Sequence, residues 1–366
     1  MAPIRLGFIG LSADGQWASK SHLPYFQSNP SQFKITALQN SSVASARRAV
    51  EKYNLGADVA CYDDPDSLAN DANVDMVVVS VKVPTHYRFI KPALQAKKDV
   101  FVEWPLAANL KEAEELTLLA KEAGVRNVVG LQARQNPSIL KAKQMVESGE
   151  LGEILGTTMY ASGMVLGATE TAVYEYMADV KNGASMLTIP MGHAMDALCF
   201  VLGEMSDVSA KLTVRRPTMD ILDADGKVLR SVQKTSHDWI SVAGTLLNSN
   251  GVVTAVYQAG VSDTGKDFYW EINGTKGTLV LEAPKGHIQM FHPTIKLVKA
   301  GGGPGNLKEI EVEPAKDFAY NVGKAWDAVV GEGNGSVVTF EDALVRHRMI
   351  DAIYRSSETG RRESYL

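Results

Sequence analysis

Cysteine is scarce in this sequence, which has only Cys61 and Cys199 among its 366 residues. Both lie in apolar segments, and neither the cysteines nor the scattered histidines show the spacing of metal ligands. We therefore expect two packed thiols in a reducing compartment, with neither a disulfide framework nor a bound metal ion.

An excess of charge of one sign is also missing. The 37 Lys and Arg residues are nearly balanced by 42 Asp and Glu residues, and no basic run could neutralise a nucleic-acid backbone. No apolar run approaches the roughly 20 residues of a membrane helix. No leader precedes the first strand, and the last three residues lack the basic centre of a peroxisomal signal. These absences predict no direct nucleic-acid or membrane partner and a cytoplasmic location, or a nuclear one if the protein is a regulator.

Apolar residues are plentiful at 45% of the chain, and the length predicts two domains. The first half alternates strands with helices, which indicates βαβ units and a parallel sheet. We predict an α/β fold in which a Rossmann-like doubly wound parallel sheet at 1–132 precedes an α+β domain at 133–366. The second domain should hold a large, mostly antiparallel open sheet, with strands at 208–215, 239–248, 251–259, 268–273, 278–282, 287–291 and 295–299.

The opening strand runs into a glycine-rich turn in which Gly10, Ser12 and Gly15 form the pattern G-x-S-x-x-G. A dinucleotide-binding fold has G-x-G-x-x-G here, because glycine makes the turn and lets the backbone approach the pyrophosphate. Ser12 replaces the middle glycine, and its hydroxyl offers a hydrogen bond to a phosphate oxygen. With Leu11 and Trp17 this loop is the predicted phosphate site; the alternative is an ordinary turn after a strand.

The second strand ends at Ser41 without the Asp or Glu that holds a ribose 2′-hydroxyl in NAD-binding folds. Arg47 and Arg48 follow on the next predicted helix. Hydroxyls and arginines in place of an acid favour a 2′-phosphate, and hence NADP over NAD, if a dinucleotide binds. The alternative is an exposed turn followed by the solvated face of a helix.

Further candidate cofactor ligands lie where other parallel strands end, which is the edge at which open α/β sheets bind their ligands. These candidates are Val81, Val83, His86, Glu103, Trp104 and Gln132. For His86, which begins a predicted helix, the alternative is a capping or packing role.

Several segments resemble the glucose–fructose oxidoreductase / inositol dehydrogenase / MocA family over nearly the whole chain. The matching segments are Gly7-Phe8-Ile9-Gly10-Leu11-Ser12, His22-Leu23-Pro24, Val83-Pro84-Thr85-His86, Glu103-Trp104-Pro105-Leu106-Ala107, Gln132-Ala133-Arg134-Gln135-Asn136-Pro137, Leu151-Gly152-Glu153-Ile154, Gly192-His193-Ala194-Met195-Asp196 and Gly274-Thr275-Lys276-Gly277-Thr278-Leu279. Within the family, the sequence is most similar to the branch of the galactose-pathway transcriptional repressor of yeasts. The resemblance implies a fungal protein, a homodimer, and a small-molecule substrate in the inter-domain cleft.

The resemblance also implies an atypical active site. Family enzymes carry E-K-P, in which the lysine takes part in the proton transfer that accompanies hydride transfer, but Trp104 holds that position here. The family's Asp four residues before the catalytic histidine is Ile189. The matching histidine, His193, is a candidate general acid because its ordinary pKa suits physiological pH. The alternative is a buried structural histidine.

Two loop tyrosines, Tyr174 and Tyr176, are the other candidate catalytic groups, although tyrosines in a loop are also ordinary surface. They precede a predicted helix over 184–202, which we expect to kink at Pro190, near His193.

Two functions therefore stay open. The first is an NADP- or NAD-dependent oxidoreductase with altered chemistry, acting on a small organic substrate whose C=N or C=C bond needs little proton assistance. The second is a catalytically inactive, dinucleotide-binding regulator that resembles the yeast repressor and holds a protein partner. Trp104 and Ile189 favour the regulator, whereas a C-terminal region shorter than that of the repressor favours the enzyme.

Overall fold

The computed structural model describes residues 2–333 and 335–366. Its strands are β1 (Ile4–Ile9), β2 (Phe33–Gln39), β3 (Ala60–Tyr62), β4 (Met76–Val79), β5 (Asp99–Glu103), β6 (Asn127–Gly130), β7 (Ile154–Ser162), β8 (Thr169–Thr171), β9 (Met205–Thr213), β10 (Thr218–Leu222), β11 (Val228–Gln233), β12 (Trp239–Leu246), β13 (Val252–Gln258), β14 (Phe268–Gly274), β15 (Gly277–Ala283), β16 (Thr294–Lys299) and β17 (Lys308–Glu309). Its α-helices are α1 (Trp17–Ser21), α2 (Leu23–Ser28), α3 (Val43–Lys52), α4 (Pro65–Ala69), α5 (His86–Gln95), α6 (Leu110–Ala123), α7 (Pro137–Glu147), α8 (Gly192–Leu202), α9 (Tyr320–Val329) and α10 (Phe340–Thr359).

The chain forms two compact units. The first consists of Met1–Leu131 and Val322–Leu344, and the second of Gln132–Asn321 and Val345–Leu366. The boundary expected at residue 132 lies one residue from the first of these breaks. The return of 322–344 to the first unit is not visible in the sequence pattern.

The first unit is built on a six-stranded parallel sheet with the order β3-β2-β1-β4-β5-β6. All four residues of β4 are buried, as expected for a strand covered on both faces. This order is that of a doubly wound dinucleotide-binding fold, so the predicted Rossmann-like sheet is confirmed. The order reverses between β1 and β4, and the chain leaving β1 enters the glycine-rich loop at that point.

One aromatic side chain explains why the chain returns to the first unit. Trp326 of α9 is fully buried and stacks on Phe101 of β5 with 4.3 Å between ring centroids. Its indole Nε1 donates a hydrogen bond to Nδ1 of His22 over 3.0 Å. Burial of a tryptophan of this size adds a few kcal/mol to the stability of the core.

The second unit contains an eight-stranded sheet with the order β17-β16-β15-β14-β7-β13-β12-β9. The β7–β13 pair is parallel and every other pair is antiparallel, which confirms the predicted mostly antiparallel open sheet. A smaller three-stranded sheet has the order β11-β10-β8.

The strand predicted at 287–291 does not form. The apolar alternation there belongs instead to a turn, in which the N–H groups of Met290 and Phe291 both donate to the His287 carbonyl over 2.9 Å. The polar side chains of His287 and Gln289 bond each other rather than lining one face of a strand. Ile288 and Gln289 are both buried in succession, so neither the backbone nor the alternating exposure of the predicted strand is found.

Pro190 lies within a π-helix, Leu187–Met191, that runs directly into α8. A hydrogen bond from the Met191 N–H to the Met186 carbonyl, five residues back, identifies the wider turn of a π-helix. Proline has no N–H to give an α-helical ladder, so a wider turn accommodates it. The expected irregularity is thus a π-turn immediately before His193.

Candidate functional site

The glycine-rich loop is held where three strand ends meet. The Gly10 N–H donates to the carbonyl of Gln39 at the end of β2 over 3.1 Å. Gly10 has φ +96°, and a Cβ added to it would lie 2.2 Å from the carbonyl oxygen of Ser80, just after β4. Any other residue would be strained by the positive φ and would bring its Cβ against the Ser80 carbonyl. The first glycine of the motif is therefore required on steric grounds.

The carbonyl groups of the loop are turned toward side chains of the same unit. Asn40 Nδ2 donates to the Leu11 carbonyl over 2.9 Å, and the Tyr53 hydroxyl donates to the Ser12 carbonyl over 2.7 Å. The ammonium group of Lys52 donates to the next carbonyl, that of Ala13. By contrast, the N–H groups of Leu11, Ser12 and Ala13 donate to no acceptor within the described part of the chain. Successive backbone N–H groups that have no acceptor are the arrangement that binds phosphate oxygens.

The Ser12 hydroxyl is engaged within the loop. It accepts a bond from the Asp14 N–H over 3.0 Å and lies 3.3 Å from a carboxylate oxygen of Asp14. Gly15 has φ +77°, and nothing lies within 4 Å of the position its Cβ would take. Gly15 therefore serves the backbone turn and not a close approach.

The end of β2 carries no carboxylate. Ser41 is exposed, and Ser42 caps α3 by accepting a bond from the Ser45 N–H over 3.1 Å. Arg47 and Arg48 are both exposed on α3. Their guanidinium groups are thus available to an anion from solvent.

Glu103, at the end of β5, is the centre of a polar chain that the sequence alone did not reveal. Its Oε1 accepts from the Trp17 indole over 3.0 Å and lies 2.5 Å from Nε2 of His22. An indole N–H only donates, so Nδ1 of His22 accepts the hydrogen bond from Trp326. The ring proton of His22 is therefore on Nε2. Trp17 and His22 thus orient the Glu103 carboxylate. The His22-Leu23-Pro24 segment was the available signal for His22, but its partner Trp326 is 304 residues away.

Trp104 and His86 occupy the neighbouring strand ends. Trp104 is 4% exposed and precedes the cis bond to Pro105. His86 is fully buried, with Nδ1 2.8 Å from the Pro105 carbonyl oxygen and Nε2 3.1 Å from that of Val81. Burial lowers the pKa of His86. Its ring therefore lies between the loops after β4 and β5, and a neutral imidazole donates its one N–H to only one of these two carbonyl oxygens. Val83 is buried in the short 3₁₀-helix that precedes α5.

His193, in the first turn of α8, is 3% exposed. Its Nδ1 is buried and has no hydrogen-bond partner among residues 2–333 and 335–366. Burial, together with the neighbouring His287, lowers the pKa of His193 to about 3. The expectation that its pKa suits physiological pH is therefore wrong, because the buried imidazolium would lose its hydration without gaining a counter-charge.

The loop tyrosines differ in exposure. Tyr174 is 46% exposed, whereas Tyr176 is half-buried, and burial raises the pKa of Tyr176 to about 12. Tyr176 thus keeps its proton at neutral pH. Gln132 is buried in the 3₁₀-helix Gln132–Gln135 of the second unit, and its Oε1 has no partner among the described residues.

Two kinds of feature are absent from the part of the chain that the structure describes. No helix there has the length and apolar character needed to cross a membrane. No group of three or more His, Cys, Asp or Glu side chains in those residues is arranged to hold a metal ion.

Comparison with known proteins gives matches along the whole chain. Residues 4–131 match the oxidoreductase family with an NAD-binding Rossmann fold, and residues 137–283 match the C-terminal domain of Gal80p. The chain is 34% identical over 371 residues to the dehydrogenase aclE of Aspergillus oryzae, covering 99% of this chain and 98% of that protein. It is 28% identical over 408 residues to the galactose/lactose metabolism regulatory protein GAL80 of Saccharomyces cerevisiae, covering 98% and 94%.

A solved structure agrees with these sequence matches. The crystal structure of a super-repressor mutant of Gal80p from Saccharomyces cerevisiae superimposes with a TM-score of 0.90 at 28% identity, covering 99% of this chain and 98% of that chain. The resemblance drawn from the motifs is thereby confirmed. One of these similar proteins is named as a dehydrogenase and the other as a regulator, so the matches alone do not choose between catalysis and regulation.

Proposed function

The chain belongs to the oxidoreductase family with the NAD-binding Rossmann fold, and on that premise we propose that it is an NADP- or NAD-dependent oxidoreductase acting on a small organic substrate. The observation that carries the proposal is the glycine turn at the sheet's switch point, where Gly10 packs against the Ser80 carbonyl and three successive N–H groups of the loop donate to no acceptor among the described residues. The full-length similarity to a dehydrogenase supports the same conclusion.

The loop residues fit a dinucleotide. The N–H groups of Leu11, Ser12 and Ala13, which donate to no acceptor among the described residues, would hold the pyrophosphate, and Gly10 lets the loop turn tightly against Ser80. Glu103, oriented by two donors, would accept a hydrogen bond from an amide of the cofactor. When bound, such a cofactor supplies or accepts a hydride.

The candidate proton donors indicate which substrates suit this chain. His193, with a pKa of about 3, is neutral at physiological pH, and Tyr176, with a pKa of about 12, holds its proton firmly. The Trp104 indole donates a hydrogen bond but does not exchange a proton near neutral pH. None of these three residues exchanges a proton readily near neutral pH, so a substrate that needs little proton assistance suits this chain. A cationic C=N bond or an activated C=C bond meets that condition better than a ketone does.

The second candidate function is a catalytically inactive regulator that holds the dinucleotide and a protein partner. It is favoured by the buried Trp104 at the position of the family's lysine and by the similarity to GAL80. We also propose that the protein forms a homodimer. An enzyme would lie in the cytoplasm, and a regulator would lie in the nucleus as well.

Turnover separates the two functions. The protein should bind NADPH and oxidise it when offered imines, with ketones reacting more slowly, as followed by loss of NADPH fluorescence. The rate on a cationic imine should show no inflection from His193 between about pH 5 and 8, since His193 is already neutral there. Binding of NADPH without turnover on any carbonyl or imine compound, together with capture of a protein partner, would reject the enzyme.

The choice of cofactor is tested at the end of β2. The double variant Arg47→Ala/Arg48→Ala should weaken NADP⁺ binding by about tenfold or more, because one charge-assisted contact to a phosphate is worth about 1.5–3 kcal/mol. Affinity for NAD⁺, which lacks the 2′-phosphate, should not change. Arg88→Ala, an exposed arginine on α5 of the same unit, is the matched control. Equal losses for both cofactors would show that the arginines do not read the 2′-phosphate.

A further inference from the structure

Two carbonyl groups of the glycine-rich loop are held by side chains that come from outside it. The carbonyl of Leu11 accepts a hydrogen bond from Nδ2 of Asn40 over 2.9 Å, and that of Ser12 accepts one from the hydroxyl of Tyr53 over 2.7 Å. Asn40 directly follows β2, and Tyr53 directly follows α3. The loop is therefore attached to two further elements of the first unit besides β1.

These two contacts fix the direction of two N–H groups. A trans peptide group is planar, and its C=O and N–H bonds point in opposite directions. The carbonyl of Leu11 shares a peptide group with the N–H of Ser12, and the carbonyl of Ser12 shares one with the N–H of Ala13. Because Asn40 and Tyr53 hold the two carbonyl oxygens, both N–H groups are directed away from those side chains. Neither N–H donates to an acceptor within 2–333 and 335–366, so both can bind an acceptor from solution.

Lys52 holds the third peptide group of the loop. Its ammonium group donates to the carbonyl of Ala13. The N–H of the same peptide group, that of Asp14, donates to the hydroxyl of Ser12 over 3.0 Å. This peptide group is therefore bonded through both its C=O and its N–H, which fixes the loop on the C-terminal side of the two available N–H groups. Lys52 is the last residue of α3 and Tyr53 follows it, so the end of this helix supplies two of the three donors that hold the loop.

The same helix carries the two arginines that are proposed to bind a 2′-phosphate. Arg47 and Arg48 lie within α3, whereas Lys52 and Tyr53 lie at its end. NADP⁺ and NAD⁺ share the pyrophosphate and differ only in the 2′-phosphate. A residue that orients the N–H groups of the loop acts on the shared pyrophosphate, so its loss should weaken the binding of both cofactors by the same factor. The arginines should affect NADP⁺ alone, and this difference distinguishes the two roles in a binding experiment.

We propose that Tyr53 and Lys52 are positioning residues of the pyrophosphate site, which hold the carbonyl groups of the glycine-rich loop so that the N–H groups of Ser12 and Ala13 face the ligand. This inference rests on the proposed function, because that function supplies the dinucleotide. All of these residues belong to the first unit. The contacts are present without a ligand, and a binding site that is ordered in advance loses less conformational freedom when its ligand binds.

The positioning role is tested first by calorimetric titration of the full chain with NADP⁺ and with NAD⁺. Tyr53→Phe removes the hydroxyl and keeps the ring, which packs against the core of the first unit. It should weaken the binding of each cofactor by about threefold to tenfold, as expected for the loss of one hydrogen bond. Lys52→Met should weaken both to a similar extent, and Lys52→Arg, which keeps a charged donor, should recover most of that loss.

Two matched substitutions show what the loss of a hydroxyl or of a lysine costs elsewhere in the first unit. Tyr87→Phe removes a hydroxyl that donates to Glu115. Lys121→Met removes a lysine from the last turn of α6, as Lys52→Met does from the last turn of α3. Both controls should bind NADP⁺ and NAD⁺ like the native protein. Native-like binding by Tyr53→Phe, or a loss that is confined to NADP⁺, would overturn the positioning role.

Two further measurements distinguish positioning from a general loosening of the unit. Adenosine 2′-monophosphate has no pyrophosphate and should compete with NADPH equally well for the native protein and for Tyr53→Phe, whereas ADP-ribose should compete less well for the variant. In nitrogen–proton NMR spectra of the native protein, saturating NADP⁺ should move the amide proton signals of Ser12 and Ala13 downfield. Equal losses for both competitors, or unmoved Ser12 and Ala13 signals, would contradict the inference. If adenosine 2′-monophosphate does not compete, the amide signals decide.

The outcomes separate this inference from the proposed function. If Tyr53→Phe and Lys52→Met bind NADPH like the native protein, the inference is rejected and the proposed function stands. If both variants lose affinity as expected but the native protein turns over no carbonyl or imine compound, the enzyme is rejected and the positioning role stands. A native protein that binds no dinucleotide would reject both.

Discussion

Replacing Gly10 with alanine is expected to weaken dinucleotide binding by at least about tenfold and to destabilise the first unit by about 2–6 kcal/mol. The added methyl group would lie 2.2 Å from the Ser80 carbonyl oxygen and 2.7 Å from Cγ1 of Val81. Because Ser80 is itself bonded through its N–H to the Ile9 carbonyl, the loop after β4 cannot move without breaking the β1–β4 contact. Urea unfolding and NADPH titration measure the two effects.

The matched control is Gly15→Ala in the same loop. Gly15 also has positive φ, but its Cβ would meet nothing within 4 Å, so only backbone strain of about 1–3 kcal/mol applies. The loss in free energy of unfolding in Gly10→Ala beyond that in Gly15→Ala therefore measures the cost of the close contact with Ser80 alone. Equal effects of the two substitutions would show that conformation, and not contact with Ser80, makes Gly10 necessary.

The first unit was largely predictable because its signals are local. The apolar run of β4, the glycine turn after β1 and the missing acid after β2 are each read from fewer than a dozen neighbouring residues, and parallel strands place their ends at one edge. What could not be read is the partner of His22. Trp326 lies 304 residues away, and nothing in the local sequence around either residue indicates that they meet.

The second unit shows how burial changes the chemistry of a recognised residue. His193 was found from its motif, but its low pKa depends on packing that no motif contains. The group of His287 and Gln289 was missed altogether, because alternation at 287–291 is typical of a strand. Both properties depend on contacts between side chains. Such contacts, unlike backbone periodicity, produce no regular pattern in the sequence.

Asp196 of α8 has a buried carboxylate that two arginines approach, and removing it should strongly destabilise the second unit. Arg134 donates two hydrogen bonds to its carboxylate over 2.8 and 2.7 Å, and Arg346 approaches within 3.6 Å. Asp196 is fully buried and Arg346 almost so, while Arg346 also pairs with Glu204. Asp196→Ala would remove the buried carboxylate that both arginines approach, at a cost of about 3–5 kcal/mol.

The measurement is calorimetric, because the two units need not unfold together. In Asp196→Ala the transition of the second unit should fall by several degrees or be lost, and Asp196→Asn, which keeps the shape but not the charge, should fall nearly as far. Asp351→Ala removes an exposed ion pair with Arg355 on α10 and should cost less than about 1 kcal/mol. A native-like transition temperature in Asp196→Ala would mean that the arginines find water instead, and that charge pairing does not hold this helix in place.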